Sequence, residues 1–188
     1  MDDYVRKLQL TELEILKEID RICRKNDIAY SLYGGSLLGA IRHNGFIPWD
    51  DDIDVAMTRD NYLKFIKACE HNLNNKFFLD CYETNKKYGA FYAKIKLKNT
   101  LFVEYKNKDD YDKSSCIWVD IFPLDYVSGR MNKKQQKSYK YYRYITTLIT
   151  IKNGTNYYKN SKIKKAIYGF ILKFIPFKWM LNLLYKKV

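Results

Sequence analysis

The amino-acid sequence predicts an α/β (α+β) domain in which a β-sheet is flanked by helices and followed by a basic helical extension. Segments with the hydrophobic period of a helix alternate with short runs typical of strands. The 188 residues are 47% hydrophobic, which suits one domain with a sizeable core. The small numbers of glycines (8) and prolines (3) exclude collagen-like and disordered classes.

The charge of the chain is unevenly distributed. The net charge is +13, yet residues 129–188 contain 15 Lys and Arg and no Asp or Glu. Residues 1–128 hold the other 19 bases and all 21 acids, so their net charge is −2. A uniformly basic nucleic-acid-binding protein would have another pattern, and no specific nucleic acid is expected as a partner.

A long amphipathic helix is predicted first, over residues 3–25. Its apolar side chains recur at helical spacing, and Glu12 falls within the same stripe. The next run, residues 28–33, is predicted to be a short strand that ends at Gly34 and Gly35.

A short helix is predicted over residues 36–43, with Ser36 as its N-cap. After a loop, residues 52–57 alternate as a buried strand. Thr58 then caps a helix that runs to about residue 73. Further strands are predicted over residues 77–82, 90–97, 101–105 and 116–122, and further helices over residues 131–151 and 161–186.

The four cysteines form no CxxC pair and match no zinc-site spacing. We expect reduced, mostly buried thiols and therefore a cytoplasmic location. The N-terminus is acidic and polar, unlike a signal peptide. No apolar run has the roughly 18–20 residues of a membrane-spanning helix. These cysteines are Cys23, Cys69, Cys81 and Cys116.

Gly34, Gly35 and Ser36 join a predicted strand to a predicted helix. The glycines allow a ligand to approach the backbone closely, and a helix N-terminus offers N–H groups to a phosphate. Turns of two glycines are common, so this motif alone is weak evidence for a phosphate site.

Four carboxylates occur within the five residues 50–54. One interpretation is a solvated acidic loop. The other is a metal site, because Asp52 and Asp54 share a face of a strand that we expect to be buried, where idle carboxylates are costly. An EF-hand is excluded, since Val55 and Asn61 stand where that motif needs Gly and Glu.

Asp120 is an isolated acid in the apolar run of residues 116–122. A structural salt bridge and a functional role are both open for such a residue. With Asp52 and Asp54 it would supply hard oxygen ligands, which suit Mg²⁺ better than zinc. The pattern favours metal-assisted phosphoryl or nucleotidyl transfer. Walker A, GxSxG and HExxH motifs are absent.

The stretch over residues 30–57, YSLYGGSLLGAIRHNGFIPWDDDIDVAM, resembles the signature of the LicD family of phosphotransferases. The stretch over residues 118–125, WVDIFPLD, is also similar to that family. The resemblance covers roughly residues 5–125. It implies a nucleotidyltransferase-like mixed sheet, with residues 1–128 as the catalytic core and residues 129–188 as a basic extension of the same domain.

The resemblance also implies roles for individual residues. Asp52, Asp54 and Asp120 match the metal-binding and catalytic carboxylates, and Asp120 is alternatively the base that activates the acceptor. The residues implied for donor phosphate or substrate are Gly34, Gly35, Ser36, Arg42, His43 and Lys94. A structural role stays open for His43. Lys94 is alternatively a solvated strand lysine without a role in the site.

The implied reaction uses Mg²⁺, or Mn²⁺, to transfer a phospho-alcohol group such as phosphocholine. The implied donor is CDP-linked, such as CDP-choline, and the acceptor is a cell-surface glycan or glycolipid (lipopolysaccharide, teichoic acid or capsule). Family members run beyond this length, so we expect a chain truncated relative to them. One alternative is a non-catalytic relative that binds nucleotide or membrane. Another is a nucleotidyltransferase that adds NMP to a small molecule or protein.

The basic segment of residues 161–188 has apolar side chains along one helical face and lysines mostly elsewhere. We favour a helix packed on the core with its lysines in water. The alternative is an amphipathic helix on an anionic membrane, which would place the protein at the inner face of that membrane.

Overall fold

The computed structural model describes residues 3–81, 84–85, 88, 90–103, 115–126, 129–130, 132–152 and 174–176. The chain divides into two compact units. The first comprises residues 1–84 and 91–126, and the second comprises residues 85–90 and 127–188. The predicted division into residues 1–128 and 129–188 stays a prediction.

The first unit contains a five-stranded mixed sheet, which confirms the predicted fold class. Its spatial order is β1-β2-β5-β4-β3, with β2 and β5 parallel and the other neighbours antiparallel. The strands are β1 (Ser31–Leu32), β2 (Asp54–Thr58), β3 (Phe77–Asp80), β4 (Ala93–Leu97) and β5 (Trp118–Leu124).

In the described part of the chain, three helices belong to the first unit and one to the second. They are α1 (Asp3–Lys25), α2 (Gly34–His43), α3 (Arg59–Asn72) and α4 (Lys133–Lys152). The predicted bounds of α1 are confirmed, and Thr58 is the N-cap of α3 by position, although its side chain makes no capping hydrogen bond.

The N-cap prediction for α2 is wrong. The helix begins at Gly34, and its N-cap is the extended residue Tyr33. Ser36 lies in the first turn, where its Oγ accepts a hydrogen bond of 2.9 Å from the backbone N–H of Asp54. The hydroxyl therefore ties the helix to β2 instead of capping its own helix.

The bounds of the strands also need correction. β1, β4 and β5 begin two or three residues after the starts predicted for the strands 28–33, 90–97 and 116–122. Two further differences have a physical reason in the structure. The strand predicted over residues 52–57 begins only at Asp54, because its partner β1 ends at Leu32 and the chain turns into α2. Residues 101–103 are irregular, where the predicted strand 101–105 would begin. There the backbone leaves the sheet after a turn at Thr100, whose Oγ1 donates to Leu97 O and accepts from the Ile117 N–H. Residues 104–105 and most of the predicted helix 161–186 lie outside the described residues.

The hydrophobic core lies between one face of the sheet and the helices α1 and α3. Ile15, Ile19 and Ile22 of α1 are fully buried there, as is Phe65 of α3. The sheet contributes alternate residues, Val55, Met57, Ala93, Ile95, Val119 and Ile121. The intervening residues therefore belong to the opposite face, where the polar side chains lie.

The four cysteines are free and buried, as expected. Within the described ranges, no helix combines the length and the apolarity that crossing a membrane requires.

Candidate metal and phosphate site

A row of charged residues crosses four neighbouring strands on the face of the sheet that is turned away from the core. Asp54 of β2 pairs in register with Asp120 of β5, and Asp120 pairs with Lys94 of β4. Lys94 in turn pairs with Asp80 of β3. We call these four residues the charge row. The register therefore brings together three residues that the sequence singled out from segments far apart.

The first turn of α2 packs directly against the aspartates. A Cβ on Gly34 would lie 3.2 Å from Asp54 Oδ2, and a Cβ on Gly35 would lie 2.6 Å from Asp50 Oδ2. Gly34 also has a φ of +55°, which disfavours other residues. The backbone N–H of Tyr33 donates to Asp54 O at 2.9 Å. The predicted phosphate turn and the aspartates are thus one structural unit.

Asp52 belongs to a loop and not to the strand, so it does not share a strand face with Asp54. It groups instead with Asp50 and Asp51, and carboxylate oxygens of the three lie within 4.8 Å of one another. The fully buried Gln9 anchors this acidic loop by donating to the carbonyl oxygens of Ile47 (3.1 Å) and Asp50 (2.9 Å).

Crowding of negative charge raises the affinity of these groups for protons. Burial, and then repulsion from Asp52 and Asp120, raises the pKa of Asp54 from 3.8 to about 6. Burial also raises the pKa of Asp120, while the nearby ammonium of Lys94 lowers it. A bound divalent cation would relieve this repulsion.

Lys94 lies between aromatic rings and a carboxylate. Its Nζ lies 2.9 Å from Asp120 Oδ1, and both side chains are 15% exposed. The same ammonium lies 3.9 Å from the ring centre of Trp118 and 5.5 Å from that of Tyr92. Among the described residues, Asp120 Oδ1 is a buried oxygen without a partner in hydrogen-bond geometry, so its contact with Lys94 is one of charge.

Arg42 and His43 lie in the last turn of α2, and both are exposed. At 1.5 Å per residue, Arg42 is about 9 Å along the helix axis from Ser36. The ring of His43 meets Trp49 edge-on, with 6.5 Å between the centroids. These two residues are therefore set apart from the first turn of α2.

Glu12 is a residue that the sequence analysis did not assign to the site. It is only 3% exposed, and its Oε2 has no hydrogen-bond partner among the described residues. Burial, and then repulsion from Asp52 and Asp51, raises its pKa to about 9. A carboxylate inside the apolar stripe of α1 was the signal that could have identified it.

Three aromatic rings line the polar face beside the charge row. The rings of Tyr33 and Phe122 are 5.8 Å apart, and those of Phe122 and Tyr92 are 4.7 Å apart, both pairs tilted. Tyr33 is 46% exposed. We call these residues the aromatic row.

The carboxylates fit a hard divalent cation. Carboxylate oxygens of Asp50, Asp51 and Asp52 lie within 4.8 Å of one another, although Asp51 and Asp52 are exposed. The buried Oδ1 of Asp120 lacks a hydrogen-bond donor within the described part of the chain, and carboxylates are the ligand type that Mg²⁺ prefers. Asp52, Asp54 and Asp120 are the residues that we expect to bind it, with Asp50 and Asp51 beside them.

Comparison with known proteins bears on this arrangement. The family model described as "LicD/FKTN/FKRP, nucleotidyltransferase domain" matches residues 27–168. The chain is 33% identical over 180 residues to the lipopolysaccharide cholinephosphotransferase LicD of Haemophilus influenzae, a match that covers 95% of this chain and 66% of that protein.

Two further relatives match shorter stretches. An uncharacterized protein of Rickettsia typhi is 29% identical over 126 residues, which cover 63% of this chain and 39% of the relative. The human ribitol 5-phosphate transferase FKRP is 49% identical over 43 residues, 23% of this chain and 8% of FKRP. The chain thus spans 66% of the length of LicD and smaller shares of the other two. The match to the family model covers most of the chain, which therefore belongs to the LicD/FKTN/FKRP family of nucleotidyltransferase domains.

Proposed function

We propose that the protein is a Mg²⁺-dependent phosphotransferase that moves a phospho-alcohol group from a CDP-linked donor to a hydroxyl of a cell-surface glycan. The observation that carries the proposal is the pairing of Asp54 and Asp120 on adjacent parallel strands, directly beside the glycine-serine turn of α2. Similarity to a cholinephosphotransferase over 95% of the chain supports the same reaction class.

In this proposal Asp52, Asp54 and Asp120 bind the metal, which, when bound, would neutralise charge on the transferring phosphoryl group. Gly34 and Gly35 keep the first turn of α2 free of side chains. The unpaired N–H groups of that turn then face the donor phosphate. In this proposal Asp120 also accepts the proton of the acceptor hydroxyl, through an oxygen that the metal leaves free.

We propose that Lys94 reaches a donor phosphate, because its ammonium lies in the charge row at the same level as Asp120. Ser36 has a supporting part, since its Oγ is engaged with the backbone of Asp54. Contacts of Arg42 and His43 with phosphate or acceptor stay predictions. Their exposed position at the far end of α2 suits contact with the acceptor better than with the charge row.

The aromatic row supports phosphocholine as the group transferred. Aromatic faces attract quaternary ammonium groups through cation–π interactions, and an uncharged polyol has no cation for such an attraction. Phe122 lies two residues after Asp120 on β5, and its ring contacts those of Tyr33 and Tyr92. Tyr33 directly follows β1, beside Asp54, and Tyr92 directly precedes β4. CDP-choline is therefore the donor that we propose first, with lipopolysaccharide, teichoic acid or capsule as acceptor.

Attachment of residues 161–188 to an anionic membrane, and thus a place at its inner face, stays a prediction, because this segment lies almost wholly outside the described residues. The two alternatives to the proposal differ in their products. A nucleotidyltransferase would release pyrophosphate from a nucleoside triphosphate, and a non-catalytic relative would release neither CMP nor pyrophosphate.

The test is the release of CMP from CDP-choline with Mg²⁺ and a glycan acceptor. We expect Asp54→Asn to lower the rate by at least about a hundredfold, because it removes a charge that positions the metal. The matched control is Asp60→Asn, the same change at an exposed aspartate of α3, and it should keep the wild-type rate. Equal rates for the two variants would contradict the assigned site, and pyrophosphate release would favour the nucleotidyltransferase.

A further inference from the structure

Lys94 occupies an unusual place for a lysine. It lies in the same cross-strand row as the three carboxylates of Asp54, Asp120 and Asp80, and its Nζ is 2.9 Å from Asp120 Oδ1. One ammonium therefore offsets part of the charge of the whole carboxylate group. This is the electrostatic task that a bound divalent cation would also perform.

The contact of Lys94 with Asp120 can be exchanged for another. The two charged atoms are 2.9 Å apart, but Asp120 Oδ1 accepts no hydrogen bond of good geometry from the described residues. The rings of Trp118 and Tyr92 lie beside the ammonium at cation–π distances. The side chain of Lys94 is 15% exposed, so it is not sealed inside the protein.

The neighbouring Lys96 shows the contrast within the same strand. It belongs to the same polar face, and its Nζ donates to Asp80 Oδ2 at 2.6 Å in a buried pair. That pair is a directed hydrogen bond, whereas Lys94 and Asp120 both lie close enough to Asp52 for their charges to act on it. The structure thus separates a structural lysine from one placed beside the candidate metal site.

We propose that Lys94 is an internal counter-cation that competes with the divalent metal for Asp120 and turns to the donor diphosphate when the metal binds. The inference rests on the proposed function. Without the diphosphate, the metal binds to a site that already contains the positive charge of Lys94. Without the metal, the diphosphate is repelled by the carboxylates. When both are present, Lys94 pairs with the diphosphate and the metal pairs with the carboxylates. Metal and diphosphate therefore bind cooperatively, and linkage makes the effect reciprocal.

The experiment measures Mn²⁺ binding by the loss of the free-ion EPR signal, with and without CDP, and corrects for Mn²⁺–CDP complexes in solution. For the wild-type protein we expect CDP to tighten Mn²⁺ binding by about tenfold, inside the usual range of coupling between sites. Lys94→Met keeps an apolar side chain against Trp118 but removes the charge. It should bind Mn²⁺ alone about tenfold more tightly than wild type and lose most of the effect of CDP.

Two matched variants separate the charge of Lys94 from other effects. Lys98→Met makes the same change at an exposed lysine just beyond β4, and it should leave both affinities unchanged. Lys94→Arg keeps the charge and should retain the effect of CDP. If Lys94→Met fails to fold, as judged by circular dichroism, the wild-type protein and Lys94→Arg decide the question between them.

The outcomes distinguish this inference from the proposed function. Wild-type Mn²⁺ binding that CDP does not tighten, or a Lys94→Met variant that binds Mn²⁺ no more tightly than wild type, overturns the inference and leaves the metal site intact. An Arg variant that behaves like the Met variant also overturns it. Absence of Mn²⁺ binding with and without CDP overturns the proposed function as well.

Discussion

At the scale of single residues, the site is organised by charges that repel one another. Glu12 is the extreme case, a carboxyl that is almost fully buried near an acidic loop and whose pKa rises to about 9. Near neutral pH it is therefore a neutral acid in the folded protein. The residue enters the apolar stripe of α1 because its protonated form tolerates a site where a charged one would not be stable.

This state of Glu12 makes stability depend on pH in a defined direction. Between pH 4.5 and 9 the folded protein binds one proton more than the unfolded chain at this residue. The free energy of unfolding should therefore fall as pH rises, by about 1.4 kcal/mol per pH unit from this group. We expect Glu12→Gln, which cannot ionise, to remove that slope between pH 6.5 and 8.5.

The measurement is urea unfolding of the metal-free protein with a chelator present. The window begins at pH 6.5 because Asp54, with a pKa of about 6, contributes a slope of the same sign at lower pH. Glu14→Gln, at an exposed position of the same helix, is the matched control and should keep the wild-type slope. The same slope in all three proteins would show that Glu12 is not protonated in the folded state.

At the scale of elements, Gly35, Gly39 and Gly45 differ in what surrounds them. A Cβ on Gly35 would collide with the carboxylate of Asp50, which is the end of a flexible side chain. A Cβ on Gly39 would instead lie 2.6 Å from the backbone oxygen of Gly45 and 2.9 Å from the backbone nitrogen of Ile47. Gly45 itself has open space around it. The first glycine serves the site, the second serves the packing of the turn, and the third serves neither.

This distinction gives a prediction for three alanine variants. Gly35→Ala should fold with a change in unfolding free energy below about 1 kcal/mol, because Asp50 can rotate away, but it should weaken Mn²⁺ and CDP binding by displacing that carboxylate. Gly39→Ala should lose about 2 kcal/mol or more of stability, since backbone must move. Gly45→Ala should change neither. Thermal unfolding and Mn²⁺ binding measure both properties, and wild-type binding by Gly35→Ala would refute the assigned function of the turn.

The elements also show which parts of the fold a sequence can predict. The helices α1 and α3 follow from local hydrophobic periods, so their predicted bounds nearly match. The sequence predicts a strand at Asp52 because polar and apolar residues alternate in an extended loop as they do in a strand. Asp52 lies in a loop because the pairing with β1 does not reach it. The partner of the Ser36 hydroxyl lies 18 residues away, beyond any local capping rule. The pairing of Lys94 with Asp120 depends on strand register, which the sequence does not state.

At the scale of the whole molecule, the residues of the candidate site lie in one compact unit. The charge row, the first turn of α2, the acidic loop and the aromatic row all belong to residues 1–84 and 91–126. The sequence predicts a role for Asp54, Asp120 and the glycine-serine turn, through acids at buried strand positions and through the family resemblance. The aromatic row required the three-dimensional arrangement, and so did the proximity of Glu12 to the acidic loop.

The central claim is that these carboxylates form a metal-dependent site for a CDP-linked donor. Thermal unfolding with Mg²⁺ tests it most directly, with CDP-choline, CDP-ribitol, CDP-glycerol and ATP compared in turn. Ligand at a hundred times its dissociation constant stabilises a protein by about 2.7 kcal/mol. For a domain of this size that is roughly 5–10 °C.

We expect this shift with CDP-choline and Mg²⁺, and its loss when Mg²⁺ is omitted or when Asp54 is replaced by Asn. The shift, and not the midpoint itself, is compared between variants, because Asp54→Asn also relieves repulsion in the metal-free protein. A shift with another CDP compound would change the proposed donor but leave the assigned site unchanged. A cooperative transition that no compound in the panel moves would contradict the claim.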